Sequence, residues 1–60
     1  MDFSKLPIGF AMELAVNEKA MKNYSSMNAD LKNTILAKAH NVRSRMEMKN
    51  LVTQIGKGML

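Results

Sequence analysis

The chain has 60 residues, no cysteine and a single histidine, His40, so it cannot form disulfides, thiolate metal sites or a zinc site built from several histidines. Nine Lys and Arg against five Asp and Glu give a formal charge of +4, which favours acidic partners. The length predicts one small helical domain over residues 1–60. The stability of such a domain is expected to be marginal, so folding would depend on close packing of the core or on a partner subunit.

The most apolar stretch predicts the first helix, from about Pro7 to Val16. Proline suits the first turn because its missing N–H would have no partner there. At about 100° per residue, apolar side chains cover most of the circumference, and only a narrow strip with Gly9 and Glu13 interrupts them. We therefore expect this helix to be central, covered by the others, with Phe10 and Leu14 fully buried.

Two further helices are predicted from an asparagine followed by apolar residues at helical spacing. Asn17 and Asn28 are the expected N-caps, because an asparagine oxygen accepts hydrogen bonds from the free N–H groups of a first turn. The second helix has the stripe Ala20, Met21, Tyr24 and Met27, and the third has Leu31, Ile35, Ala39 and Val42. Lys19, Lys22 and Asn23 are predicted to face away from the core.

Ser44 and Glu47 have the spacing of a capping box and predict the start of a fourth helix. The serine hydroxyl would accept from the N–H of Glu47, and the glutamate would reach back to the N–H of Ser44. The stripe of this helix is Met48, Leu51, Val52 and Ile55, and glycines follow at 56 and 58. The predicted fold is therefore all-α, a compact bundle of four short helices with the first helix central.

No stretch has the residues of a catalytic site. His40 has no cysteine to pair with, and the three glycines match no phosphate-binding pattern. Glu18, Asp30 and Glu47 are explained by their places at helix starts. We therefore predict that the chain is not an enzyme and has no catalytic residue, cofactor, metal ion or small-molecule ligand; a catalytic accessory subunit stays open as a third class.

The sequence predicts neither export nor membrane insertion. Pro7 and Gly9 interrupt the first apolar run, Glu13 lies inside it, and no small-residue cleavage site follows. A span of about 20 apolar residues is also missing. The expected location is the cytoplasm, without a membrane partner.

A protein interface is the favoured functional prediction. Leu36 and Met46 are apolar but lie off the core stripes of their helices, and Phe3 precedes the first helix. The hypothesis is that these three residues form one patch that binds a second copy or another protein. Such an interface would add stability to a chain without disulfides or metal.

Nucleic-acid binding is the alternative. Basic side chains concentrate around the junction of the third and fourth helices, at Lys38, Arg43, Arg45 and Lys49. We call these four residues the basic junction. Such a cluster could neutralise phosphates, although the few aromatic residues are all expected in the core, where they cannot stack on bases.

Several segments resemble the C-terminal helical region of YdeI/OmpD-associated proteins. The matching segments are Leu6-Pro7, Asn17-Glu18-Lys19-Ala20, Tyr24, Met27-Asn28, Ala37-Lys38 and Arg43-x-Arg45. The chain departs from that family at Glu18, where proline is usual, and at Val42, where threonine is usual. It is also similar, over nearly its whole length, to short helical proteins of Gram-positive bacteria. The resemblance implies a helical fold and a loose link to bacteriocin and antimicrobial-peptide protection, and it assigns no site.

Overall fold

The computed structural model describes residues 6–58, which form four helices. The helices are α1 (Ile8–Val16), α2 (Glu18–Ser26), α3 (Ala29–His40) and α4 (Arg45–Gly56). No strand occurs within the described range. The predicted all-α bundle of four short helices is thereby confirmed.

Both asparagine caps are confirmed. The side-chain oxygen of Asn17 accepts a hydrogen bond of 3.1 Å from the N–H of Ala20 at the start of α2. The side-chain oxygen of Asn28 accepts one of 2.8 Å from the N–H of Leu31 at the start of α3. Each bond pairs one of the N–H groups that a helix start leaves free, so α1, α2 and α3 can follow one another through very short connections.

The start of α4 is confirmed, with one difference in its second hydrogen bond. Oγ of Ser44 accepts from the N–H of Glu47 at 3.1 Å, as predicted. The carboxylate of Glu47, however, accepts from the N–H of Arg43 at 2.8 Å instead of from that of Ser44. The bond therefore reaches one residue further back and fixes the backbone of the α3–α4 connection to the first turn of α4.

All four helices contribute to the core. Its buried side chains are Phe10, Leu14, Ala20, Tyr24, Ile35, Ala39, Met48, Leu51, Val52 and Ile55. The rings of Phe10 and Tyr24 meet edge to face, with centroids 5.4 Å apart. Phe10 and Leu14 are fully buried, which confirms the prediction for these two residues.

The prediction that the first helix is buried on nearly every side is wrong. Ile8, Met12 and Val16, on the side of α1 away from the core, are exposed. α1, α2 and α4 each pack against the other two, and α4 contributes four of the ten buried core side chains. The physical reason is that the other helices each have one apolar stripe, and each stripe is already used in the common core. No apolar stripe remains to cover the outer side of α1.

Asn23 also lies differently from its prediction, because it is half-buried between α2 and α4. Its Nδ2 donates to the carbonyl oxygen of Ile55 at 2.8 Å and to that of Gly56 at 3.3 Å. Gly56 itself lies so close to the start of α2 that an added Cβ would be 3.3 Å from Oδ1 of Asn17. The end of α4 thus packs directly against the start of α2.

Candidate protein-binding interface

A continuous line of exposed apolar side chains runs along the outer side of α1. Ile8, Met12 and Val16 follow one another at intervals of four residues and are 79%, 62% and 80% exposed. We call these three residues the α1 stripe. Gly9 and Ala15, on the same side of the helix, are also exposed, and Glu13, the one charged residue of α1, borders this face. Single exposed apolar residues are ordinary, whereas contiguous apolar patches often mark binding sites.

A groove of about 620 Å³ lies beside the α1 stripe, between α1 and the α3–α4 connection. Met12 and Val16 line it from α1, and Arg43 and Arg45 line it from the other side. The buried side chain of Met48 also lines the groove. The groove therefore combines a largely apolar wall, in which Glu13 is the one charged residue, with a basic wall.

Local structure explains why the groove is open and ordered. Gly9 has no side chain to fill it, and a Cβ at this position would lie 3.9 Å from Cε of Met48. On the basic side, the bond from the N–H of Arg43 to Glu47 holds the connection, and the N–H of Val42 donates to a carbonyl of the last turn of α3 at 3.3 Å. Arg43 is thus presented from an ordered backbone.

The basic junction is exposed at all four positions. Arg43 and Arg45 line the groove, and Lys49 lines a second depression of about 370 Å³ together with Val16. Lys38 lies in the last turn of α3. The structure therefore brings three of the four cations next to the α1 stripe, a relationship that the sequence analysis did not predict.

Glu13 lies between the stripe and these cations. Its side chain is half-buried and lines both depressions, each of which also contains Val16. It is the one carboxylate among the residues that line the groove, against the two guanidinium groups of Arg43 and Arg45. The groove is therefore basic on balance.

The three residues of the predicted protein patch are placed differently from one another. Met46 is 67% exposed. Leu36 is half-buried and packs against the core, so it offers less exposed apolar surface than the hypothesis assumed. Phe3 lies outside the described residues. The α1 stripe was missed because its residues were assigned to the core. The signal was present, since the first helix has more apolar surface than three single-striped helices can cover.

Comparisons with protein-family models, with curated proteins and with solved structures found no match to this chain. The resemblance to YdeI/OmpD-associated proteins therefore stays a prediction from its motifs. Within residues 6–58, no helix is long and apolar enough to cross a membrane. In the same range, no three His, Cys, Asp or Glu side chains are grouped so that they could hold a metal ion. The function is therefore inferred from the surface itself.

Proposed function

We propose that this chain is a small, non-enzymatic interaction module of the cytoplasm that binds a protein through the α1 stripe. The observation that supports this proposal is the exposed apolar outer face of α1, with Ile8, Met12 and Val16 on successive turns. Full burial of one such side chain is worth roughly 1.5–3 kcal/mol. Three of them together can offset a substantial part of the unfavourable entropy of association.

The chemistry of the stripe also suits an interface. Met12 has an unbranched, polarisable side chain that adapts to the shape of a partner. Gly9 and Ala15 beside it are small and exposed, so another backbone can approach α1 closely. A face made only of large branched residues would allow less adjustment.

In-cell photo-crosslinking tests this proposal. A photo-reactive phenylalanine analogue replaces Met12, and the same analogue replaces Met46 in a matched variant, since the two methionines are 62% and 67% exposed. A third variant has the analogue at Asn33, which is exposed on α3. We expect a discrete crosslinked protein from position 12 that positions 46 and 33 do not give.

The captured protein is then purified and titrated with the unmodified chain and with the Met12→Ser variant. The proposal requires that Met12→Ser weakens binding at least about tenfold, equivalent to roughly 1.4 kcal/mol. A product from position 46 alone would support the predicted Met46 patch instead. The same products from all three positions, or binding that Met12→Ser leaves unchanged, would contradict the proposal.

Nucleic-acid binding stays as the second candidate function because Arg43, Arg45 and Lys49 are exposed and neighbouring. Such cations can neutralise phosphates without reading sequence. Both aromatic side chains in the described part of the chain, Phe10 and Tyr24, are buried in the core. Base stacking on them would require unfolding, so this candidate would rely on phosphate contacts alone.

A further inference from the structure

We infer that the occupant of the groove is an acidic amphipathic helix of another protein. The inference rests on the proposed function and specifies the partner's chemistry. The apolar side of such a helix would cover the α1 stripe, and its acidic side would face Arg43, Arg45 and Lys49. The groove offers both kinds of surface side by side, with Met12 and Val16 on one wall and Arg43 and Arg45 on the other.

The length and backbone of α1 favour a helical occupant. From Ile8 to Val16 the stripe covers eight residue steps, about 12 Å at a rise of about 1.5 Å per residue. This length corresponds to roughly two turns of a docked helix, enough for anchors at positions i, i+4 and i+7. The stripe lies on a helix whose backbone N–H and C=O groups are already paired along it, so it offers no free edge to an extended strand.

Charge complementarity favours an acidic occupant. The residues that line the groove include two guanidinium groups and one carboxylate, that of Glu13. In the neighbouring depression Lys19 and Lys49 balance Glu13 and Glu18, so the excess positive charge is that of the groove. The whole chain has a formal charge of +4, which would attract an acidic partner over a longer range. Aspartate or glutamate on one side of the docked helix would pair with the arginines as its apolar side covers the stripe.

A second copy of the chain is a poorer occupant, because its own carboxylates do not form an acidic face. Glu18 and Asp30 lie in the first turns of two different helices, and Glu47 accepts the hydrogen bond from the N–H of Arg43. Glu13 is half-buried in the groove itself. Glu13 and Glu18 both line the depression beside Val16, but Lys19 and Lys49 line it too, so its charges balance and it offers no acidic face to the groove of a second copy.

Selection from a displayed library of helical peptides tests the inference. The peptides vary at their surface positions and are selected against the folded chain. We expect the enriched sequences to have apolar residues at i and i+4 and Asp or Glu along one flank. Three variants then report the contacts: Met12→Ser for the stripe, Arg43→Gln with Arg45→Gln for the basic wall, and Lys22→Gln with Lys57→Gln as a charge-matched control at exposed positions outside the groove.

Calorimetric titration of the best peptide gives the decisive numbers. The stripe variant and the double arginine variant should each weaken binding at least about tenfold, whereas the lysine control should change it less than about threefold. Neutral or basic peptides that still require Met12 would overturn the acidic occupant and leave the interaction module intact. Peptide binding that does not depend on Met12, or no enrichment of any peptide, would overturn both proposals.

Vesicles of anionic phospholipid are titrated in parallel. If no peptide is selected and the vesicles bind in a way that depends on Met12, the occupant of the groove is a lipid surface, and the inference of a protein helix is wrong.

Discussion

Nδ2 of Asn23 lies 2.8 Å from the carbonyl oxygen of Ile55, and the two residues are 32 positions apart in the chain. The hydrogen bond joins α2 to the last turn of α4, where the Ile55 carbonyl also accepts from the N–H of Gly58 at 3.1 Å. It places a polar side chain at the contact between the two helices. The contact between α2 and α4 is therefore specified by a directional bond as well as by apolar packing.

Loss of this hydrogen bond should destabilise the fold measurably. Asn23→Ala removes the donor and leaves the Ile55 carbonyl with the N–H of Gly58 as its partner, which should lower the free energy of unfolding by about 0.5–1.5 kcal/mol. Asn23→Asp should lower it further, because an ionised carboxylate cannot donate and would face two carbonyl oxygens. Urea denaturation followed by circular dichroism measures both changes. Asn33→Ala, at an exposed position of α3, is the control and should stay within about 0.5 kcal/mol.

The sequence predicted the helix starts well because their signals are local. Asn17, Asn28 and Ser44 each bond an N–H three residues later, so the donor and the acceptor are set by neighbours in the chain. Asn23 could not be placed in this way, since its partner lies on another helix. The same limit applies to the α1 stripe. The apolar content of α1 is visible in the sequence, but which side the other helices cover depends on the packing of the whole bundle.

Phe10 should be essential for folding. Its ring is fully buried and meets the ring of Tyr24 edge to face. Phe10→Ala should lower the free energy of unfolding by about 3–5 kcal/mol, enough to unfold a domain of this size. Loss of the cooperative thermal transition in circular dichroism is the expected result. Met12→Ala, two residues away on the exposed side, should change stability by less than about 0.5 kcal/mol. Equal effects of the two substitutions would contradict the orientation of α1.

The two helical glycines should respond to alanine in opposite ways. Gly9 is exposed and has room for a Cβ, so Gly9→Ala should stabilise the protein by about 0.5–1 kcal/mol through the better helix propensity of alanine. At Gly56 the new Cβ would lie 3.3 Å from Oδ1 of Asn17 and 3.4 Å from the backbone nitrogen of Ala20. Because these atoms form the cap of α2, Gly56→Ala should not stabilise and should lower the melting temperature. If both Gly9→Ala and Gly56→Ala raise the melting temperature, α4 does not pack against α2 this closely.

Alkaline pH should weaken the fold through Tyr24. Burial raises the pKa of Tyr24 above its ordinary value of 10.0, so the folded chain holds this proton to higher pH than the unfolded chain does. The stability that this difference contributes is present below about pH 10 and is lost as the pH rises through the folded pKa. Tyr24 is the one tyrosine of the chain, so the tyrosinate absorbance reports it alone. Tyr24→Phe should flatten the decline in stability above pH 10. Lys32→Met, which removes the ammonium 5.8 Å from the ring centroid, should leave the contribution of the tyrosine itself in place.

Salt dependence separates the proposed protein binding from nucleic-acid binding. If Arg43, Arg45 and Lys49 contact phosphates, a fluorescent single-stranded or duplex oligonucleotide should bind at low salt, and its affinity should fall steeply as salt is added. Each lost phosphate contact should reduce the slope of log K against log salt by roughly one unit. Arg43→Gln with Arg45→Gln should then reduce it by roughly two units, and Met12→Ser should leave it unchanged, because the α1 stripe offers no charge to a phosphate. If neither oligonucleotide binds at low salt, the alternative is excluded, and the arginines are then a solvated face unless the proposed acidic partner contacts them. A slope that falls equally in the Lys22→Gln, Lys57→Gln control would indicate a general effect of the net charge of the chain.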